Sequence, residues 1–171
     1  MTIASDPAHA FDTMMADNAV DYSVRQEAPL DASFLENLYV ANAPMTDFLP
    51  MALLLQQHRM QEATFAAHYP HAMRRILVRS GQPVGRIILD WSSAAVAHGV
   101  DISVLPHRNG RGGGLNLLRA WLAVCDALER PASLFVRADN RARRLYTHLG
   151  FAEVAGQAND SPMVQMTRMP G

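Results

Sequence analysis

The sequence predicts a mixed α/β domain of the α+β type, with one central sheet of six to seven strands flanked by about four helices. Three observations carry that prediction. The hydrophobic period is helical up to Ala67 and becomes strand-like after His68-Tyr69-Pro70. A glycine-rich stretch, Asn109 to Gly114, joins an apolar β-branched run to a helical pattern. Beyond it, strand and helix patterns alternate to the end with no repeat and no linker, as one sheet-based domain requires.

Residues 1–20 are rich in Ala, Asp and Met without a clear period, and read as a loose N-terminal extension or weak helix ahead of a single domain over 21–171. Tyr22-Ser23-Val24-Arg25 alternates as a short strand. Asp31 can cap a helix from Ala32, with Phe34, Leu35, Leu38 and Tyr39 on one face and Pro44 as its stop. A second helix spans about Asp47 to Ala67, with Pro50 in its first turn and Phe48, Met51, Leu54, Leu55, Met60 and Phe65 as its buried stripe. Arg74–Arg79 and Val84–Trp91 form a hairpin about the turn Ser80-Gly81-Gln82-Pro83. The run Gly99 to Leu105 is a third strand. Leu115, Leu118, Trp121, Leu122, Cys125 and Leu128 then recur at helical spacing. Ser133–Val136 is a strand, Arg141–Leu149 a helix closed by Gly150, and two strands near Phe151–Val154 and Met163–Met169 complete the chain.

Composition narrows the function. Hydrophobic residues are 49% and charged residues 18% of the 171, against about 25% charged in an average protein, so disorder is excluded. A net charge of −1 excludes general electrostatic binding to nucleic acid. No apolar run is long enough for a membrane span, and the first residues lack a basic and an apolar leader region, so a cytoplasmic protein is expected. The single cysteine permits no internal disulfide, and Cys125 reads as a small core residue. The histidines show no metal-ligand spacing, so no metal is expected. All fifteen basic residues are arginine. Residues 1–100 hold six Arg against ten acids, and residues 101–171 hold nine against six, a swing from −4 to +3. Arginine grips phosphate through paired donors, so the second part suits a phosphorylated ligand.

The glycine loop is where such a ligand would bind, because unpaired N–H groups and the helix dipole meet there. It is not a Walker loop, since Gly114 is followed by Leu115-Asn116 rather than Lys-Ser/Thr. It is not a dinucleotide fingerprint, since Gly110 and Gly112 would put the third glycine at Leu115.

Val104-Leu105-Pro106, two further residues, and then Asn109-Gly110-Arg111-Gly112-Gly113-Gly114-Leu115 resembles the acyl-CoA loop of the GNAT superfamily of N-acetyltransferases. The family pattern is Gln/Arg-x-x-Gly-x-Gly/Ala, with Asn109 here at its first position. Asn140-Arg141-Ala142-Arg143-Arg144-Leu145-Tyr146-Thr147-His148-Leu149-Gly150-Phe151 resembles the second GNAT signature. One helix and one strand separate the two, as in that superfamily. The resemblance covers about Arg74 to Phe151 and implies a mostly antiparallel sheet and acetyl-CoA as cosubstrate. It also implies strand-like contacts from Val104 and Leu105 to the pantetheine arm, Tyr146 as the proton donor to the leaving thiolate, and a cofactor role for Asn140, with Asp139 as the alternative occupant of that position. Arg143, with Arg141 and Arg144, would meet the 3′-phosphate. The amine nucleophile must lose a proton, since an alkylammonium titrates near pH ~10. Asp101 is the first candidate acceptor, with Asp90, His98 and water as alternatives. The acceptor would be an amine of a small molecule or protein, and pairing into a homodimer stays open. A non-catalytic acyl-CoA-binding domain is the competing reading.

Overall fold

The computed structural model describes residues 6–43, 48–106, 112–156 and 162–171. Among the described residues, five α-helices and seven strands follow one another as α1 (Pro7–Asn18), β1 (Tyr22–Gln26), α2 (Ala32–Asn42), α3 (Met51–His68), β2 (Met73–Arg79), β3 (Gln82–Asp90), β4 (Ala97–Val104), α4 (Gly113–Ala127), β5 (Ala132–Arg137), α5 (Ala142–His148), β6 (Ala152–Glu153) and β7 (Met163–Arg168). The strands form one sheet in the order β1-β2-β3-β4-β5-β7-β6. Every adjacent pair is antiparallel except β4 and β5. The mixed, mostly antiparallel α/β architecture expected from the sequence is the one found.

The β2–β3 hairpin turns on Ser80 and Gly81, both at positive φ (50° and 74°). A two-residue turn of that kind matches the twist of the strands it joins. One face of the sheet carries α1 and α4 over the main core, which includes Phe11, Met15, Leu77, Ile87, Leu117 and Trp121. The other face carries α2 over a smaller cluster of Leu35, Leu38 and Ile76.

Three expectations need correction. Residues 7–18 are a capped helix. Asp6 Oδ1 accepts from the N–H groups of Ala8 (3.0 Å) and His9 (3.1 Å), and Pro7 starts the helix with a preset φ. Phe11 and Met15 are buried in the main core, and Asp12 takes a two-pronged ion pair from Arg75 at 2.8 and 3.0 Å. Only a narrow stripe of α1 is apolar, so periodicity does not betray it. Second, Asp31 does not cap α2. Its carboxylate turns back to Arg25 (2.6 and 2.8 Å) and to the Ala28 N–H (2.9 Å). Third, α3 buries only Leu54 and His58, while Phe48, Met51 and Met60 stand in solvent. Pro50 precedes that helix instead of lying in its first turn. The reason is position: α3 leans on α2 at the rim of a cavity, so its apolar residues have no layer beneath them. The predicted stop at Pro44 and start at Asp47 lie outside the described residues.

Candidate active site

β4 and β5 hold together only over Ala97↔Ala132, His98↔Ser133 and Gly99↔Leu134. Beyond that rung β4 continues to Val104 and β5 to Arg137 with no pairing between them. The cause lies in β4. Leu89 pairs with Gly99 and Ile88 with Asp101, so Val100 is an extra residue, and such a bulge bends its strand. Gly99 is drawn against α4: a Cβ there would sit 2.8 Å from the Trp121 ring. The two strands therefore part and leave backbone groups of β4 on an open edge. A cavity of about 920 Å³ fills the gap, walled by α2, α3, β4, β5 and α5, with Gly114 and Leu118 of α4 at its base.

The glycine loop opens beside this cavity. Gly112 stands at the N-terminus of α4 with φ +87°, a conformation that other residues adopt only under strain, and its carbonyl accepts the Asn116 N–H (2.8 Å). Asn109, Gly110 and Arg111 lie outside the described residues. Gly114 borders the cavity. Gly113 does not: a Cβ there would meet Leu77 at 3.0 Å and Tyr22 at 3.1 Å, so this glycine lets α4 settle on β1 and β2. Leu115 follows on α4, half-buried and away from the cavity wall. Val104 lines the cavity, and its carbonyl accepts from Asn42 Nδ2 (3.2 Å). Leu105 uses its N–H on the Val84 carbonyl (2.9 Å), so that group is turned to β3 and away from the open edge.

Tyr146, on α5, lines the same cavity and packs edge-on to Phe151 (5.9 Å between ring centroids). Burial, with the nearby Asp101 charge adding to it, pushes its phenol up to about 12. The hydroxyl therefore keeps its proton at neutral pH. Asp101 also lines the cavity, but both its oxygens are engaged. Oδ2 accepts from Arg86 Nε (2.9 Å) and Oδ1 from Ser103 Oγ (2.9 Å). Arg86 is 4% exposed and stands at the centre of a buried charge network. Glu62 of α3 lies 2.8 Å from it and Glu27 3.8 Å, and Arg74 bridges the same two carboxylates at 2.9 and 3.1 Å. Two guanidinium groups thus face three carboxylates, so the network behind this part of the cavity carries a formal charge of −1.

Asn140 caps α5 by accepting the Ala142 N–H on Oδ1 (2.9 Å), and it lines the cavity. Arg143 donates to the Ala138 carbonyl (2.5 Å) and pairs with Glu153, so a phosphate would have to compete for it. Cys125 is fully buried, and burial raises its thiol to about 12, as suits a core residue. Asp90 serves the turn after β3, where Oδ1 accepts from Ser92. His98 lines the cavity at the point where the strands part. Among the described residues, no group of three or more His, Cys, Asp or Glu could hold a metal.

The sequence reading missed Arg86, Glu62, Tyr69 and Phe135. Arg86 had a signal: a lone charge within Val84–Leu89 must find buried counter-charge. The others are brought in by tertiary packing alone.

A family model described as the acetyltransferase (GNAT) domain matches residues 72–153, which include the parted strands, the glycine loop and α5. The chain carries a GNAT acetyltransferase domain. Acetyl transfer is accordingly its class of reaction, with binding of acetyl-CoA implied. Among solved structures, the GNAT domain is similar to Ard1 from Thermoplasma volcanium (25% identity, TM-score 0.61), over 89% of this chain and 99% of that one. A PaiA N-acetyltransferase from Thermoplasma acidophilum, solved with coenzyme A, shares its fold at 14% identity and TM-score 0.67, over 88% and 99%. The ribosomal-protein-S18-alanine N-acetyltransferase of Escherichia coli does so at 19% identity and TM-score 0.61, over 86% and 93%. No curated protein matches the sequence.

Proposed function

We propose that this protein is an N-acetyltransferase that moves an acetyl group from acetyl-CoA to a primary amine, by direct attack with both substrates bound. The observation that carries the reading is one cavity bounded by the open edge of β4, the glycine start of α4 and the Tyr146 phenol. Each part has a task in acyl transfer. An unpaired strand edge offers hydrogen bonds to an extended amide-bearing arm, as in strand addition. Gly112 and the first turn of α4 present orphan N–H groups and the positive helix end to a pyrophosphate. Gly114 has no side chain to block that approach. Asn140 holds the start of α5 in place, and α5 carries Tyr146. The thioester substrate supplies an activated acetyl group. Tyr146 holds a proton inside the cavity, where a departing thiolate can take it. The net negative charge around Arg86 and Asp101 favours a cationic acceptor, which an amine is in its resting form.

The test is release of free thiol from acetyl-CoA across a panel of small amines, peptides and aminoglycosides. Amine-dependent release, with acetylated amine found by mass, is the expected result. Tight binding of CoA without amine-dependent release from any of them would replace the enzyme by an acyl-CoA-binding domain.

A further inference from the structure

We propose that His98 takes the proton released by the acceptor nitrogen; this assignment rests on the N-acetyltransferase reading above. His98 sits one rung before the last pair, Gly99↔Leu134, after which β4 and β5 part; it lies opposite Ser133, and it lines the cavity. Its ring is fixed from three sides. Tyr69 stacks on it (5.5 Å between centroids, 25° between planes), Phe135 meets it edge-on (5.7 Å, 69°), and Nδ1 lies 2.9 Å from Ser133 Oγ. With Nδ1–H donating to Ser133, Nε2 is left as the nitrogen with a free lone pair.

The competing carboxylates are already engaged. Asp101 gives its oxygens to Arg86 and Ser103, and Asp139 is paired with Arg137 at 2.6 and 3.0 Å. Glu62 is held by Arg74 and Arg86. The ionisable groups around His98 are Asp90, its cross-strand neighbour on β3, and Tyr69, with His68 beyond the Tyr69 ring; β5 contributes the neutral Ser133 and Phe135. Burial lowers the imidazole pKa, against a smaller opposing pull from Asp90 and Ser133. The ring is therefore neutral at pH 7 and free to accept.

The step balances. The acceptor ammonium first gives one proton to water; its freed lone pair then bonds to the acyl carbon, a remaining N–H becomes strongly acidic, and Nε2 takes that proton. The C–S bonding pair leaves with sulfur, which takes the Tyr146 proton. The imidazolium then returns a proton to water and the phenolate recovers one.

The experiment joins kinetics to tautomer. In the parent, long-range ¹⁵N–¹H correlations of His98, assigned by their absence in His98→Gln, should show Nδ1 protonated and Nε2 bare at pH 7. At saturating substrates, His98→Gln should lose on the order of 10²-fold in kcat, together with the acidic limb expected of the parent below the ordinary imidazole range. CoA affinity, read by calorimetry, should not change. Partial loss is expected in Ser133→Ala, which frees the tautomer and keeps the ring. A proton on Nε2 at pH 7, near-parental kcat in His98→Gln, or an unchanged acidic limb would each overturn the assignment while leaving the acetyltransferase standing. A parent that acetylates no amine would overturn both.

Discussion

Replacing Tyr146 by Phe removes one oxygen and keeps the ring in place. The aromatic contact with Phe151 at 5.9 Å and the burial of the ring in the main core both survive. The hydroxyl has no hydrogen-bond partner among the described residues, so its loss should change stability by less than about 1 kcal/mol. For a domain of this size that is within about 2–4 °C in Tm. Turnover should behave differently. A positioned proton donor contributes about 10²-fold to 10⁴-fold, which at 1.36 kcal/mol per decade is about 3–5 kcal/mol of barrier. Because burial raises the phenol to about 12, Tyr146 stays protonated throughout the usual assay range. The parent's activity should therefore show no basic limb from this group. The assay is thiol release under saturating acetyl-CoA and amine, with CoA affinity measured separately. A phenylalanine variant with near-parental turnover would show that the leaving thiolate draws its proton from water. Equal losses in turnover and CoA affinity would make Tyr146 a binding group.

Three further outcomes are expected. Gly112→Asp puts a carboxylate and a Cβ at a residue with φ +87°, at the helix start proposed above to hold the pyrophosphate; CoA affinity should fall steeply, and unchanged affinity by calorimetry would move the pyrophosphate elsewhere. Gly99→Ala forces a methyl to within 2.8 Å of the buried Trp121 ring, which should cost about 1–3 kcal/mol in urea unfolding; a neutral result would show that Trp121 yields freely. Asp31 and Asp126 have carboxyl pKa values lowered first by their hydrogen bonds to Arg25 and Arg168. A lowered folded pKa gives stability that is fully present above the unfolded value of about 3.9 and is lost as pH falls through the folded value. Tm should thus drop below pH ~4, and Asp31→Asn should lessen the drop; an identical acid profile in that variant would remove Asp31 from the account.

Local chemistry made much of this protein legible from its residues. The Ser80-Gly81 turn, the glycines ending α5 and opening α4, and the change of period after Tyr69 act within a few positions of the chain. Their elements could therefore be read, and so could the spacing of the two GNAT signatures. Tertiary structure decided what depends on residues far apart in sequence. Whether α1 is a tail or a core element turns on Phe11 and Met15 meeting α4, about a hundred positions away. Arg86 looked like one more strand residue until Glu27, Glu62 and Asp101 converged on it from three other segments. The cavity depends on a one-residue bulge at Val100 and on the fit of Gly99 to Trp121, and neither leaves a periodic trace. Asp101 stood out in the sequence because of its place on the strand, and its carboxylate is engaged because Arg86 faces it. His98 acquires its fixed ring because Tyr69, Ser133 and Phe135 surround it once the sheet has formed. Sequence specified the elements because their signals are short-range; the site's chemistry was decided by side chains that only the folded sheet brings together.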